Sequence, residues 1–292
     1  MDSFVRLLNA LLMIAIPLIL APWFIRRMRV SWRLFAIGAV TFIASQVLHI
    51  PFNLWILNPL LDRLSSSGLQ ANMMIALTAI SAGLSAGVFE ESARYLVYRL
   101  WLRNERSWEQ ALMFGLGHGG IEAILLGLLA LIAFFQAVAL RGADLSSMVT
   151  AEQLPLVSAG LQEYWSAPWT MAMLGAVERA SAVCLHLGLA VFVWRAVVRR
   201  SVGWLALAVG WHALANAATL IIFQQWGAYI AEGFIAILAG IGLFIAFASR
   251  RAAPDVQIAP DSDKGPSLHP IQRADDMQEL TTQELDESRF MD

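Results

Sequence analysis

Seven apolar stretches dominate this chain, and each is about 20 residues or longer, the length that a helix needs to cross a bilayer. They fall at roughly 4–25, 34–57, 72–101, 108–140, 170–194, 202–224 and 228–248. The chain is 58% hydrophobic and only 14% charged, so a soluble core of 292 residues cannot bury its apolar surface. The pattern predicts an all-α protein, a polytopic transmembrane helix bundle of about seven spans.

Arginines mark the ends of these stretches and predict the topology. The arginine-rich connections hold Arg26, Arg27, Arg29 and Arg33, then Arg99, Arg103 and Arg106, then Arg195, Arg199 and Arg200, then Arg250 and Arg251. The alternate connections hold only Arg63 and Arg141. Because arginine-rich connections stay in the cytoplasm, we expect an integral protein of a bacterial-type plasma membrane, with its N-terminus outside and its C-terminal tail inside.

Composition also divides the chain and excludes some functions. We expect a transmembrane domain over 1–251, with a catalytic core at about 72–224, an external loop at about 141–169 and a disordered cytoplasmic tail at 252–292. The external loop could form a lid or an amphipathic helix at the interface.

A net charge of -2 without a basic face argues against nucleic acid as a partner. The single cysteine, Cys184, excludes an intrachain disulfide and a cysteine-based zinc site.

Ionisable side chains inside four of the spans lie at one predicted depth. Glu90 and Glu91 of the third span, His118 of the fourth, His186 of the fifth and His212 of the sixth are all about ten residues from the cytoplasmic end. At 1.5 Å per residue this depth is roughly 15 Å, near the middle of a roughly 30 Å hydrocarbon core. Ionisable groups at this depth are costly, and by default they mark a functional site.

Further polar residues surround this layer. Glu122 and Asn216 each lie four residues beyond a histidine of the layer, so each shares a helix face with it, one turn farther out. Arg94 is spaced to pair with either glutamate, and one glutamate could pair with it while the other faces water. Glu178 lies about two turns beyond the layer, in a second shell at most. We expect His49 to have no partner at its depth and to serve packing or the interface.

The layer has the groups that peptide hydrolysis in a membrane requires. Hydrolysis needs a base that activates water and donors for the developing oxyanion, and Glu90 and Glu91 could serve as base and acid in turn. Neutral histidines could donate to the oxyanion or bind a metal ion. His118, His186 and His212 with Glu122 permit a catalytic zinc, although the sequence contains no HExxH pair. The glutamic and metal mechanisms both stay open.

Three ordered motifs carry a resemblance to a known family. They are Glu90-Glu91-x-x-Arg94, Phe114-x-x-x-His118 and His212-x-x-x-Asn216. This order resembles the CAAX-protease and bacteriocin-processing family of intramembrane glutamic proteases. The fuller strings are Gly117-His118-Gly119-Gly120-Ile121-Glu122-Ala123 and Glu178-Arg179 ahead of His186. They more closely resemble the YhfC family of intramembrane proteases, over residues 80–220.

The resemblance implies a role for each matched residue. Glu90 matches the water-activating glutamate, Glu91 its neighbour and His118 the histidine of the second motif. His212 with Asn216 matches the pair that stabilises the oxyanion or holds a metal. The implied function is an intramembrane endopeptidase acting on a membrane-bound protein or peptide in the lipid bilayer.

Two other functions fit the same polar residues. In a non-catalytic scaffold or chaperone they would only hold helices together, and in a proton-coupled transporter they would form a relay. A transporter is the weaker alternative because it predicts inverted repeats and broken helices, and the hydropathy pattern shows neither. The substrate, the cleavage position and the oligomeric state cannot be inferred from the sequence.

Overall fold

A computed structural model describes residues 2–252, and these residues fold into helices joined by short connections. The helices are, in chain order, α1 (Asp2–Met28), α2 (Trp32–Phe52), α3 (Asn58–Ser65), α4 (Ala71–Leu100), α5 (Trp108–Ala139), α6 (Leu154–Ser166), α7 (Trp169–Ala172), α8 (Leu174–Val198), α9 (Val202–Trp226) and α10 (Ala228–Ala248). Within the described residues, seven helical segments are long and apolar enough to cross a membrane, which confirms the predicted number. Apart from Ala252, the predicted tail 252–292 lies outside the described residues.

The second span is longer than predicted. Helices α2 and α3 are joined by the π-helical turn Asn53–Leu57, so the segment is continuous from Trp32 to Ser65 and does not end at residue 57. Pro59 lies in the first turn of α3 directly after the π-helical turn, and proline is tolerated within a span where a local π adjustment satisfies the freed backbone groups. The proline therefore does not end the helix here.

Local sequence explains several helix ends. Ser107 and Gln110 form a capping box at the start of α5, each side chain bonding the other's backbone N–H at 3.2 and 2.8 Å. Gly227, at φ 84°, ends α9 and starts α10, a conformation that other residues rarely adopt. Between the fourth and fifth spans, the connecting stretch contains helix α6.

Helix α8 is the centre of the bundle. Of the 18 most apolar consecutive residues in its spanning segment, 89% are buried inside the bundle, against 17–33% in the other six segments. A helix that is apolar on every face suits such an enclosed position, whereas the outer helices keep one side for lipid. His186 of α8 is therefore within reach of polar groups on several surrounding helices.

Glycines bring two helix pairs into backbone contact. A Cβ on Gly117 of α5 would lie 2.1 Å from the Phe35 carbonyl oxygen of α2, and one on Gly87 of α4 would lie 2.7 Å from that of Val209 in α9. Small residues at such crossings allow close packing of transmembrane helices. This packing draws α4 against α9 and α5 against α2 at the level of the ionisable residues.

The arginine-rich ends of the helices meet on one side of the bundle. One cavity there is lined by Arg99, Arg103, Arg106, Val197 and Arg200. A second is lined in part by Arg27, Arg29, Ser107 and Arg250. The bundle thus separates its arginine-rich end from the other end, as the positive-inside pattern requires. Which end faces the cytoplasm remains a prediction.

Candidate active site: a buried carboxylate–histidine cluster

The predicted layer converges into one cluster inside the bundle. The rings of His118, His186 and His212, from α5, α8 and α9, form a row with centroids 5.3 and 5.5 Å apart. Glu90 and Glu91 of α4 contact this row, and all five residues are buried. Equal depth on neighbouring helices thus becomes direct contact between side chains.

Glu90 is the glutamate at the edge of the cluster. One oxygen, Oε2, lies 3.0 Å from Nε2 of His118, and the other accepts a hydrogen bond from the Gln46 side-chain amide at 3.2 Å. The nearest Arg94 nitrogen is 3.9 Å away, at the limit of an ion pair. The Glu90 side chain keeps 8% of its surface exposed, whereas that of Glu91 has none. Glu90 is therefore the less enclosed carboxylate of this pair.

Glu91 is the fully enclosed partner of Arg94. Its Oε1 lies 2.5 Å from Nη1 of Arg94 and 2.7 Å from Nδ1 of His212. Its other oxygen is buried without a hydrogen-bond partner among the described residues. The structure thus divides the roles between the two neighbouring glutamates, and Glu91 takes the arginine.

His186 is held between a cation and a carboxylate. Arg94 donates to Nδ1 at 2.6 Å, and since arginine only donates, the neutral ring must carry its hydrogen on Nε2. This N–H faces Oε2 of Glu122 at 2.8 Å. Arg179 donates to the other oxygen of Glu122 at 2.8 Å and also pairs with Glu178. Hydrogen bonding therefore assigns the tautomer of His186 and joins Glu122 to the cluster.

Two predicted residues lie at the margin. Glu178 is 36% exposed in its side chain and pairs with Arg179, with no contact to a histidine of the cluster among the described residues. Asn216 is half-buried one turn beyond His212, and its amide makes no hydrogen bond within residues 2–252. The structure thus leaves the Asn216 donors unused.

A polar chain on α2 was missed by the sequence analysis. The expectation that His49 has no partner at its depth is wrong, since its Nδ1 lies 3.2 Å from Oε1 of Gln46 and its Nε2 lies 3.0 Å from Nδ2 of Asn53. Ser85 of α4 donates to Oδ1 of Asn53 at 2.8 Å. Gln46 donates to Glu90, so every hydrogen bond of the chain points toward that carboxylate. The spacing of Gln46, His49 and Asn53 at i, i+3 and i+7 on an apolar helix was the available signal.

Three side chains of the cluster could hold a metal ion. Glu90, His118 and His186 each offer one ligand atom, and these atoms all lie within 4.8 Å of one another. Two histidines and a glutamate are the protein ligands of one type of catalytic zinc site. Beside them, Nδ1 of His118 and Oε2 of Glu91 are buried without a hydrogen-bond partner in the described part of the chain. The three side chains offer suitable ligand atoms, they are buried, and polar atoms without partners lie beside them. The group therefore fits a divalent cation.

Two residues that the sequence offered as ligands lie just outside this group. His212 binds Glu91, and Glu122 binds His186 on Nε2. A carboxylate on one nitrogen of a ligating histidine orients the ring and raises its basicity. The other nitrogen, Nδ1, cannot serve Arg94 and a cation together, so metal binding through Nδ1 requires that hydrogen bond to open.

Fold and site together define an integral membrane protein with a carboxylate–histidine centre inside its helix bundle. A sequence model described as YhfC intramembrane metalloprotease matches residues 12–239, and the chain belongs to this family. One relative is the uncharacterized membrane protein YhfC of Bacillus subtilis (strain 168), 29% identical over 235 residues that cover 78% of this chain and 89% of the relative. No solved structure matches the chain.

Proposed function

We propose that this protein is an intramembrane endopeptidase that hydrolyses peptide bonds of a membrane-associated polypeptide. The observation that carries the proposal is the Glu90–His118 pair, a carboxylate 3.0 Å from an imidazole inside a transmembrane bundle. A hydrolase needs a carboxylate base that is oriented by a neighbouring donor, whereas a membrane chaperone or scaffold does not. Membership of a family named for intramembrane metalloproteases supports the same reaction class.

Glu90 is the proposed general base. Hydrogen bonds from Gln46 and His118 favour its ionised form and fix its orientation. In the proposed reaction Glu90 takes a proton from water as the water oxygen attacks the scissile carbonyl. The same carboxyl group then gives the proton to the leaving amine, so the C–N bond breaks and the base is restored.

Asn216 and His212 are the proposed stabilisers of the oxyanion. The Asn216 amide has two N–H groups and no hydrogen-bond partner within residues 2–252, so both are free to donate. His212 gives its Nδ1–H to Glu91, and a second proton on Nε2 would make it a cationic donor. Preorganised donors of this kind typically contribute about 3–4 kcal/mol to transition-state stabilisation.

The family name and the donor group also support a metal-assisted form, with zinc as the proposed ion. Glu90, His118 and His186 are the residues that would hold it. When bound, zinc would polarise the scissile carbonyl and make its bound water more acidic. In this form Glu90 is a ligand, and Glu91, with one buried oxygen unpartnered, is the carboxylate that remains to accept a proton.

The proposal includes an orientation in the membrane. We place the arginine-rich end of the bundle in the cytoplasm and α6 outside, in a bacterial-type plasma membrane. The external stretch 141–169, which contains α6, would then lie where a lid could control lateral entry of a membrane-bound substrate.

The test is cleavage of single-span reporter polypeptides, tagged at both ends, by the purified full chain in liposomes. Wild type should release two fragments. Glu90→Gln and His118→Ala should each lose about 100-fold or more of the turnover, the usual contribution of a general base. Glu109→Gln is the matched control, because Glu109 lies on the same helix as His118 but pairs with Arg250 at the bundle end. Unchanged turnover in both cluster variants would refute the proposal.

The metal-assisted form has its own measurement. The zinc content of purified protein, with the effect of a membrane-permeant chelator on reporter cleavage, separates it from the glutamic form. One zinc per chain, lost together with activity and restored by added zinc, supports the metal form. Full activity in zinc-free protein after chelation supports glutamate-activated water without metal.

One observation favours a scaffold as the second candidate. The ion pairs of Arg94 with Glu91 and of Arg179 with Glu122 neutralise buried charge, and the second pair joins two helices. If no reporter is cleaved by wild type, and Glu90→Gln and the other cluster variants unfold at lower temperature, the scaffold is the better explanation.

A further inference from the structure

A cavity with a mainly apolar lining lies at the opposite end of the bundle from the arginine-rich connections. It has a volume of about 390 Å³ and is bounded by α1, α5, α6 and α7. Its lining includes Arg6, Asn9, Ala130, Gly160, Glu163 and Tyr164. None of these residues belongs to the carboxylate–histidine cluster.

Arg6 brings a buried positive charge to this cavity. The residue is 5% exposed, its Nε donates to the Tyr164 carbonyl at 3.1 Å, and its Nη2 donates to the carbonyls of Tyr164 and Ala167. Its Nη1 is buried and has no partner among the described residues. Nε and Nη2 of the guanidinium therefore hold the C-terminal end of α6, while Nη1 makes no hydrogen bond among the described residues.

The charge of Arg6 is not compensated by a carboxylate. Within residues 2–252, the buried Arg94 and Arg179 form ion pairs at 2.5 and 2.8 Å. The buried Arg6 and Arg195 form none, and Arg195 donates to the Ser249 carbonyl at the other end of the bundle. A buried charge without a counterion is costly. Nη1 has almost no accessible surface in this conformation, so the guanidinium would have to turn toward the cavity to donate a charge-assisted hydrogen bond to an anion there, and that bond would relieve this cost.

Glu163 supplies an opposite charge on the wall of the same cavity. It is exposed, and its carboxylate makes no ion pair with another described residue. A ligand with a single anionic group and a nearby ammonium would satisfy both residues. A ligand that carries further negative charge would be repelled by Glu163.

The position of the cavity indicates where such a ligand comes from. Tyr164 lines it, and the Trp165 ring centroid lies 5.5 Å from Cζ of Arg6. Tyrosine and tryptophan are typical of the headgroup level of a bilayer. Arg6 is four residues inside the start of α1, roughly 6 Å along the helix axis. The cavity thus lies at the depth of phospholipid headgroups.

We propose that this cavity binds the headgroup of an aminophospholipid such as phosphatidylethanolamine. The phosphate accepts from Nη1 of Arg6, and the ammonium donates to the Glu163 carboxylate. Because Arg6 also holds the end of α6, the bound lipid fixes the external helix against α1. The site is independent of the proposed peptidase activity, since neither residue lies in the proposed catalytic cluster.

The test measures lipid binding by the purified full chain in dodecyl maltoside micelles. Phosphatidylethanolamine, phosphatidylcholine and phosphatidylglycerol of one acyl composition are titrated separately, and native mass spectrometry gives the dissociation constants. Soluble phosphoethanolamine is titrated as well. We expect phosphatidylethanolamine to bind at least about tenfold more tightly than each of the other three, a difference of about 1.4 kcal/mol. Equal affinities across the three lipids, tighter phosphatidylglycerol, or equal binding of soluble phosphoethanolamine would each overturn the proposal.

Three variants locate the site. Gly160→Leu places a side chain where an added Cβ meets nothing within 4 Å, so it should fill the cavity without a clash and abolish the preference. The Glu163 side chain makes no hydrogen bond among the described residues, so Glu163→Gln should leave the fold intact. It should remove the preference for phosphatidylethanolamine over phosphatidylglycerol. Arg6→Gln should weaken all phospholipids, and Arg63→Gln, an exposed arginine at the same end, should change nothing. Retained preference in Gly160→Leu would refute this location, even if Arg6→Gln fails to fold.

Discussion

Replacing Arg94 by methionine should destabilise the protein strongly. Arg94 is fully buried, donates to Glu91 at 2.5 Å and to His186 at 2.6 Å, and lies 3.9 Å from Glu90. Methionine fills much of the same space but carries no charge. Arg94→Met therefore leaves the Glu91 carboxylate, itself 0% exposed, without its cation.

The size of the effect follows from burial of the pair. Removing one partner of a buried ion pair costs about 3–5 kcal/mol, because the other charge stays enclosed and uncompensated. For a chain of this size, 1 kcal/mol corresponds to about 2–4 °C in Tm. Arg94→Met should thus lower Tm by roughly 6–20 °C.

The assay is thermal unfolding of purified protein in one detergent at one protein concentration. Arg99→Met is the matched control, because Arg99 lies on the same helix but is exposed, and it should shift Tm by no more than about 2 °C. Adding Glu91→Gln to Arg94→Met should recover part of the loss, since it removes the stranded charge. If Arg94→Met unfolds at the same temperature as Arg99→Met, the buried pair does not stabilise the bundle as argued.

Three further predictions concern the site and its supports. Glu122→Gln should weaken zinc binding by about 10–100-fold in competition with a chromophoric chelator, the usual cost of losing a carboxylate that orients a ligating histidine, and unchanged affinity would argue against that role. Gln46→Leu removes the 3.2 Å hydrogen bonds to Glu90 and to His49 and should lower reporter turnover about tenfold or more, with a loss of roughly 2–12 °C in Tm from the buried groups left unpaired. Wild-type turnover would show that the α2 chain is not needed. Gly117→Ala puts a Cβ 2.1 Å from a carbonyl oxygen of α2 and should lower Tm by several degrees, while Gly240→Ala, with nothing within 4 Å, should not; equal Tm values would contradict close packing at that crossing.

The membrane fold was predictable because the bilayer acts on each span separately. Hydropathy and segment length predicted seven spans, and the positions of the arginines predicted that the bundle has two chemically different ends. The error at residue 57 arose where a π-helical turn carries the helix past polar residues to Ser65. Such a turn depends on local hydrogen bonding that hydropathy does not encode.

The residues of the buried carboxylate–histidine cluster were predictable from depth, but the contacts between them were not. Depth along each helix placed Glu90, His118, His186 and His212 in one layer, because the rise per residue is fixed. Depth contains no information on rotation about the helix axis, and rotation decides which side chains touch. The sequence therefore could not assign Arg94 to Glu91 in preference to Glu90, and it left the polar chain on α2 unrecognised.

The sequence by itself determined which residues lie at which depth and at which end of the bundle, since both follow from helix geometry and the preference of each residue for lipid or water. The tertiary structure alone decided which of these side chains contact one another. Glycine contacts such as Gly117 against α2 and Gly87 against α9 set the distance between the helices. These contacts leave Glu90 slightly exposed at the edge of the cluster and Glu91 fully buried against Arg94, a difference that two adjacent, identical residues cannot show in sequence.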